Sequence, residues 1–213
     1  MITKIISGGQ TGADAAALDA AIELNIPHGG WIPKGRKTET GPLPDKYQLQ
    51  EMPTGSYTRR TEQNVIDSDV TAIFSHGRLS GGSLKTYNYA KKNNKPCLHL
   101  NMTRLSVDEA VKEILHWIEE NNIQILNVAG PRGSKDPEIY AVVKEVLAIA
   151  LTENLANNQH TTHKSTYYSM EYIEEDEKIL ILFYNDRNEL VAKRELPKCA
   201  TVEDYIEKNR QNR

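Results

Sequence analysis

Residues 1–14, MITKIISGGQTGAD, decide the fold of this chain. The apolar run over residues 2–6 predicts a β-strand, and the alanine-rich run after residue 12 predicts a helix. Between them, Gly8, Gly9 and Gly12 predict a tight turn, because a residue without a Cβ lets the backbone approach a neighbour or a ligand closely. The first N–H groups and the positive dipole end of the helix face that turn. This strand, loop and helix together suit a phosphate or a similar anion.

The spacing of this loop, G-G-x-T-G-x-D, differs from both the dinucleotide fingerprint and the P-loop. The alternative interpretation is a structural turn in which the glycines only permit close packing. The polar side chains of Gln10, Thr11 and Asp14 favour ligand binding, since a structural turn does not need three of them. The residues predicted to hold a phosphate are Gly8, Gly9, Gln10, Thr11 and Gly12.

Composition narrows the classes of protein to consider. The 213 residues, of which 38% are hydrophobic, suffice for one packed domain with a small appendage. The formal net charge of −3 argues against a nucleic-acid partner or a basic membrane patch. No apolar run approaches the roughly 20 residues that span a bilayer, and the start of the chain lacks a signal-peptide pattern. We therefore expect a cytoplasmic protein with no nucleic-acid and no membrane partner.

The cysteines and histidines do not predict a metal site. Cys97 and Cys199 are too few for a disulfide framework or a zinc site. The six histidines form neither H-x-x-x-H nor H-E-x-x-H. No Ser/His/Asp arrangement is recognisable either.

Short apolar runs alternate with amphipathic stretches over the first 155 residues. The predicted strands cover residues 4–7, 29–32, 71–75, 97–100 and 125–129, and the predicted helices cover residues 13–24, 57–68, 84–93, 106–121 and 137–155. This alternation predicts an α/β fold with a mainly parallel sheet and helices on both faces. Ligands bind such sheets at the carboxyl ends of the strands. We expect four loops to converge there: residues 8–14, 33–36, 76–86 and 130–135.

The C-terminal part of the chain has a different pattern. We expect a ligand-binding domain over residues 1–156, a polar linker over residues 157–166 and an appendage over residues 167–213. Three strands, at 167–173, 179–184 and 189–196, predict an antiparallel β-meander, followed by a short helix over residues 201–210. The meander either packs on the main domain or pairs with another subunit.

Two basic loops are candidate anion sites. Lys34-Gly35-Arg36 combines a point charge and a bidentate guanidinium beside a glycine, which suits a phosphate. A solvated basic turn is the alternative. Arg132 follows the last predicted strand of the sheet, although an exposed loop arginine is the default interpretation there.

The predicted helix at 57–68 and the strand after it carry further candidates. Thr61, Asn64 and Asp67 share one polar side at helical spacing and suit a polar head group or a sugar. Helix caps and surface ion pairs are the alternative. Asp67 and Asp69 precede the central strand, where either side chain would also serve to cap the turn.

Residues 80–86, SGGSLKT, have the same pattern as the first loop: paired glycines ahead of a predicted helix. Hydroxyl groups and free backbone amides in such a turn donate to phosphate oxygens. The residues predicted to hold a second phosphate or a ribose are Gly81, Gly82, Ser83 and Thr86.

Five motifs, in this order, resemble those of the molybdenum carrier protein family: GGQTGAD at 8–14, GGWIPKGR at 29–36, RTxxNVxDSD at 60–69, SGG at 80–82 and NVAGPR at 127–132. The family resembles a branch of the Rossmann-like superfamily that includes the lonely-guy hydrolases and the Smf proteins. The resemblance implies a Rossmann-like sheet, a homo-oligomer and a pocket formed by the glycine loops. The family name implies the molybdenum cofactor, a pterin that bears a phosphate, or another nucleotide-derived ligand.

One departure separates this chain from the hydrolase branch. Those hydrolases carry a P-G-G-x-G-T-x-x-E loop with a catalytic glutamate, whereas residues 80–86 here contain no acid. The first hypothesis is therefore a protein that binds a phosphate-bearing nucleotide-derived or pterin-like molecule and carries or sequesters it. The alternative is a hydrolase of an N-glycosidic bond, with Asp14, Asp67 or Asp69 as the catalytic carboxylate. A scaffold that assembles through its C-terminal meander is the third hypothesis.

Overall fold

The structure is a computed structural model that describes residues 1–161, 169–174, 178–184 and 190–197. The chain divides into two compact units, Met1–Asn158 and Gln159–Arg213. The strands are β1 (Lys4–Ile6), β2 (His28–Gly29), β3 (Trp31–Ile32), β4 (Lys37–Thr38), β5 (Gly41–Pro42), β6 (Gln50–Glu51), β7 (Val70–Ser75), β8 (Cys97–Asn101), β9 (Ile125–Ala129), β10 (Ser169–Glu174), β11 (Lys178–Tyr184) and β12 (Leu190–Pro197). The helices are α1 (Ala13–Glu23), α2 (Tyr57–Ile66), α3 (Gly81–Lys92), α4 (Val107–Glu120) and α5 (Ile139–Thr161).

A parallel five-stranded sheet forms the centre of the first unit, in the order β2-β1-β9-β7-β8. All four pairs of neighbouring strands are parallel, which confirms the predicted α/β fold. Ile73 of β7 pairs with Ala129 of β9, and Ser75 of β7 pairs with Asn101 of β8. The carboxyl ends of these three strands therefore meet at one edge of the sheet.

Side chains that alternate along the strands build a core on one face of the sheet. Ile5, Phe74 and Leu126 are fully buried in one cluster with residues of α1, α4 and α5. Burying each such side chain contributes about 1.5–3 kcal/mol. On the other face, α3 packs against β7 and β8, and α2 packs against α3. Helices thus cover both faces, as the sequence predicts.

Helix α4 shows how local sequence fixes an element boundary. The side chain of Ser106 accepts a hydrogen bond from the Glu109 amide, and the Glu109 carboxylate accepts one from the Ser106 amide. This capping box fixes the first turn of the helix. Ile114 and Ile118, one turn apart, are buried against the core, while the opposite side of the helix is exposed.

The strand predicted at 29–32 is two strands in the structure. Gly30 has φ +123°, and a Cβ there would collide with the Ser7 carbonyl oxygen, so the chain bends away from the sheet. β2 therefore pairs with β1, whereas β3 pairs with β6, and β4 and β5 form a small hairpin between them. Ile32, Leu43 and Leu49 pack with Leu18 of α1 in a second, smaller core.

In the second unit, β10, β11 and β12 form an antiparallel sheet in that order, as predicted for the meander. Helix α5 continues to Thr161, into the residues predicted as a linker, because no glycine or proline interrupts it. The helix predicted at 201–210 lies outside the described residues. Among the described helices, none combines the length and the apolar character that crossing a bilayer requires.

Candidate functional site

A cavity of about 610 Å³ opens at the carboxyl edge of the parallel sheet. Ser75 and Ala129, the last residues of β7 and β9, line it. Residues from three of the four loops that were predicted to converge also line it: Gln10 and Asp14 from 8–14, Gly81, Gly82, Ser83 and Thr86 from 76–86, and Arg132 from 130–135. Thr61 of α2 lies in the same lining. The topology thus brings together residues that are far apart in the sequence.

The second glycine loop, residues 80–86, is open toward the cavity, and its residues 81–86 form the start of α3, which the sequence predicted to begin at residue 84. Ser80 is the N-cap residue of α3, but its side chain makes no hydrogen bond to the first turn. A helix leaves its first N–H groups without an intrahelical partner, so those of α3 stay available to an anion. A Cβ on Gly81 or Gly82 would meet no atom within 4 Å. The Thr86 hydroxyl donates to the Gly82 carbonyl at 3.1 Å, which stiffens this turn.

The first glycine loop, residues 8–14, is closed by contacts within the protein. The Gln10 amide donates to Asp14 Oδ2 at 3.2 Å, and the Thr11 amide donates to the Gln10 side chain at 3.0 Å. The Ala13 amide donates to the Pro131 carbonyl at 3.2 Å. These three amides, two of which were predicted to cradle a phosphate, already have acceptors.

The glycines of this first loop are required for packing. A Cβ on Gly8 would collide with the Arg60 guanidinium, and one on Gly9 would lie 2.7 Å from Leu43 Cδ2. A Cβ on Gly12 would lie 2.5 Å from the Pro131 carbonyl oxygen. Of these glycines, none lies in the cavity lining. The close-packing interpretation therefore describes Gly8, Gly9 and Gly12 better than the phosphate cradle does.

Glu39 ties the first loop to the loop after β9. Its carboxylate accepts hydrogen bonds from the Thr11 hydroxyl and from the Ser134 amide and hydroxyl. Arg132 Nη1 lies 3.8 Å from the same carboxylate. Desolvation opposes ionisation, but the hydrogen bonds from Ser134 and Thr11 outweigh it and lower the pKa of Glu39. We call Thr11, Glu39 and Ser134 the Glu39 clamp.

Asp14 and Arg60 form a buried ion pair in the lining of the cavity. Arg60 Nη1 lies 3.5 Å from Asp14 Oδ2, and the two side chains are 11% and 7% exposed. Burial raises the pKa of Asp14, although Arg60 and the Gln10 amide favour its charged form. Among the described residues, none accepts a hydrogen bond from the buried Arg60 Nε. An unsatisfied buried donor costs about 1–3 kcal/mol.

His76 and Asp136 form a second pair in the lining. His76 Nδ1 lies 2.8 Å from Asp136 Oδ2, and the side chains are 26% and 15% exposed. His76 follows β7, whereas Asp136 precedes α5, so the pair joins two elements. His76 Nε2 makes no hydrogen bond to the described residues.

The charge of the lining favours an anion. Five basic side chains face two carboxylates: Arg60, Arg78, Lys85, Arg132 and Lys135 against Asp14 and Asp136. The aromatic rings of Tyr57 and Tyr89 complete the wall. A cleft of this sign concentrates negatively charged ligands.

The basic loop at 34–36, a predicted anion site, lies outside the cavity lining. The guanidinium of Arg36 donates to four carbonyls within residues 43–49 and holds that loop in place. The Gly35 amide donates to Glu51 at 2.6 Å, and the Lys34 side chain is exposed. These three residues are therefore part of the framework around β3–β6.

Asn64 and Asp67 hold Trp31 and do not line the cavity. Asn64 accepts from the Trp31 amide at 2.6 Å and donates to its carbonyl at 3.3 Å. Asp67 accepts from the indole N–H of Trp31 at 2.6 Å. Asp69 accepts from the amides of Gln124 and Ile125, at the amino end of β9. Of the three carboxylates predicted for catalysis, only Asp14 therefore lies at the cavity.

Sequence reasoning missed several lining residues. His76 and Arg78 lie in the predicted loop at 76–86, but no pattern in the sequence singles them out. Tyr57 and Arg60 share a helical side with Thr61 at spacings of three and four, which is a usable signal. Asp136 precedes the proline at the start of the helix predicted at 137–155, where an acidic residue is typical of a helix cap and does not indicate a lining residue. In the part of the chain that the structure describes, no group of three His, Cys, Asp or Glu side chains is placed to hold a metal ion.

A parallel sheet with polar loops around a basic cavity at its carboxyl edge defines a Rossmann-like α/β protein. The model of the circularly permutated YpsA SLOG family matches residues 5–151, so the chain belongs to this family. The chain is 57% identical to a crystal structure named "putative molybdenum carrier protein" from Syntrophus aciditrophicus SB, with a TM-score of 0.70. This match covers 70% of this chain and 95% of that chain. No curated protein matches the chain.

Proposed function

We propose that the cavity binds a phosphate-bearing small molecule, derived from a nucleotide or a pterin, which the protein carries or sequesters. The observation that carries this proposal is the first turn of α3, which has no side-chain cap and lies in the lining of a basic cavity. The free N–H groups of that turn are donors for a ligand phosphate. The basic side chains of the lining attract its negative charge.

Each part of the lining has a role in this proposal. The amides of residues 81–83 hold one phosphate, with the Ser83 hydroxyl beside them. Lys85 and Arg132 neutralise the ligand charge, and Tyr57 and Tyr89 pack against a planar ring. A cavity of about 610 Å³ falls within the range of about 300–1,000 Å³ that is usual for small-molecule sites.

The name of the Syntrophus aciditrophicus protein supports the molybdenum cofactor as one candidate ligand. This cofactor is a pterin that bears a phosphate, so the cavity would hold it through the phosphate and the ring. Side chains that would ligate molybdenum directly are not grouped in the described part of the chain. We also expect the protein to form a homo-oligomer, as the family resemblance implies.

The alternative, cleavage of an N-glycosidic bond by Asp14, Asp67 or Asp69, has less support. Asp67 and Asp69 lie outside the lining, bonded to Trp31 and to the start of β9. Asp14 is already committed to Arg60 and to the Gln10 amide. A carboxylate that is to stabilise a ribosyl cation must be free to approach it.

The test compares two glycines at which an added side chain has room. A Cβ at Gly82 or at Gly55 would meet nothing within 4 Å, and neither glycine has a positive φ, but only Gly82 lines the cavity. Calorimetric titration with adenosine 5′-diphosphate and with a phosphorylated pterin measures binding to the wild type, Gly82→Val and Gly55→Val. We expect Gly82→Val to weaken binding at least about 10-fold, since its side chain occupies the site, and Gly55→Val to bind normally. Absence of binding by the wild type, or unchanged affinity in Gly82→Val, would refute the proposal.

A further inference from the structure

The described part of the chain contains two histidine–carboxylate pairs in very different surroundings. His116 and Glu120 are one turn apart on α4, with side chains 72% and 60% exposed, which is typical of a surface pair. His76 and Asp136 are 60 positions apart in sequence, less exposed, and both line the anion cavity. Packing alone does not require a polar pair at that place.

The hydrogen bond to Asp136 leaves the other imidazole nitrogen of His76 able to accept a proton. When His76 Nδ1–H donates to Asp136 Oδ2, the lone pair of the ring resides on Nε2. Nε2 makes no hydrogen bond to the described residues. A carboxylate that orients an imidazole in this way is the arrangement that general bases use.

We propose that the cavity also hydrolyses a phosphoester bond of its ligand, with His76 as general base and Asp136 as the residue that positions it. This inference rests on the proposed function, because the ligand must first bind through its phosphate. The class of substrate is a phosphate monoester or a phosphoanhydride.

The reaction consumes one water molecule and needs no other reactant. His76 Nε2 takes a proton from water as the water oxygen forms a bond to phosphorus. The bond between phosphorus and the leaving oxygen, on the opposite side of phosphorus, breaks; that oxygen takes a proton from solvent, and the imidazolium returns its proton to solvent. The products are an alcohol, or a shorter phosphate, and inorganic phosphate, and His76 returns to its starting form.

The surroundings of the pair favour phosphoryl transfer over glycosidic cleavage. Negative charge on the transferring phosphoryl oxygens is stabilised by fixed donors and cations, which Arg60, Arg132 and the first turn of α3 supply. Glycosidic cleavage needs a free carboxylate near the sugar, whereas Asp14 and Asp136 each already bind a basic partner.

The experiment uses the full chain with adenosine 5′-monophosphate, adenosine 5′-diphosphate and pyrophosphate, in water enriched in ¹⁸O. Calorimetry measures binding, and ³¹P NMR and mass spectrometry follow the products. The variants are His76→Ala, Asp136→Asn and, as a matched control on the surface pair, His116→Ala. Added imidazole tests rescue of His76→Ala, an effect that a merely structural role of the ring would not show.

We expect phosphate release with ¹⁸O in the phosphate, a loss of kcat of at least about 100-fold in His76→Ala and normal kcat in His116→Ala. Asp136→Asn should lower kcat with KM nearly unchanged, and imidazole should restore part of the activity of His76→Ala. Binding without phosphate release, release that survives His76→Ala, or release of adenine with ribose 5-phosphate overturns this inference and leaves the binding function intact. Absence of binding by the wild type overturns both.

Discussion

Residues 8–14 place paired glycines ahead of α1, and residues 80–86 place them in the first turn of α3. Both stretches lie at the same cavity, yet their surroundings differ. A Cβ on Gly9 would lie 2.7 Å from Leu43, and one on Gly12 would lie 2.5 Å from the Pro131 carbonyl oxygen. A Cβ on Gly82 would meet nothing within 4 Å. The same sequence feature thus serves close packing in one loop and open access in the other.

The backbone amides show the same division. In the first loop, the amides of Gln10, Thr11 and Ala13 already donate to acceptors within the protein. In the second loop, the Ser80 side chain leaves the first turn of α3 uncapped. Paired glycines before a helix therefore do not by themselves identify a phosphate site, because the partners of the amides decide it.

The largest predicted effect is on stability, and it tests the packing role of the first loop. Gly12→Ala should lower the free energy of unfolding by about 3 kcal/mol, because φ is +75° and the new Cβ meets backbone atoms that cannot move away. Gly82→Ala, the matched variant in the second loop, should change it by no more than about 1 kcal/mol. Urea unfolding of both variants measures the difference. Equal losses of unfolding free energy in the two variants would show that the two loops do not differ in packing.

Asp14 provides a test of the first loop through pH. Because burial raises the pKa of Asp14 in the folded state, the protonated form stabilises the fold at low pH. That contribution is lost as pH rises through the raised pKa, so the wild type should lose stability relative to Asp14→Asn between pH 4 and the raised pKa. Urea unfolding over a pH series measures this change in unfolding free energy. Asp108→Asn, on the exposed side of α4, is the control. A difference that does not vary with pH would show that Asp14 titrates alike in both states.

Replacing Lys85 tests whether the second loop contributes charge to ligand binding. Lys85→Ala should weaken binding of adenosine 5′-diphosphate about 5-fold, because one exposed cation of the lining is removed, and the effect should shrink in high salt. Lys112→Ala, on the exposed side of α4, is the control and should bind as the wild type does. Calorimetry at two ionic strengths distinguishes them. Equal affinities for the two variants would remove Lys85 from the site.

The smallest predicted effect concerns the Glu39 clamp. Glu39→Gln should destabilise the fold by about 0.5–1 kcal/mol at neutral pH, since charged hydrogen bonds to Thr11 and Ser134 become neutral ones. Because the folded pKa of Glu39 is lowered, its contribution is present above the ordinary carboxyl pKa and is lost as pH falls through the lowered value. Urea unfolding at pH 7 and pH 3 measures both. If the wild type and Glu39→Gln differed in unfolding free energy by the same amount at both pH values, the Glu39 carboxylate would not stabilise the fold through its charge.

The fold was predictable where local signals agree with tertiary packing. The capping box of Ser106 and Glu109 marks the start of α4, and the alternation of strands and helices predicts the parallel sheet. β4, β5 and β6 were missed because strands of two residues have no hydrophobic alternation to detect. The bend at Gly30 depends on the position of the Ser7 carbonyl, directly after β1 and 23 residues away in the sequence.

The cavity was predictable only in outline. Placing loops at the carboxyl ends of parallel strands brings Gln10, Gly82 and Arg132 together without further information. The sequence pattern predicted a ligand-binding role for Arg36. In the structure its guanidinium donates to backbone carbonyls, and a sequence pattern does not reveal such partners because every residue has a carbonyl. Arg60 was missed as a lining residue because the pattern of α2 does not reveal which polar side faces the cavity.

The most direct test follows backbone amide signals by ¹⁵N NMR during titration with adenosine 5′-diphosphate. If the second loop holds the phosphate, the amides of Gly81, Gly82 and Ser83 shift strongly, whereas those of Gln10 and Thr11, which already have acceptors, shift little. Strong shifts in the first loop with none at residues 81–83 would contradict the account.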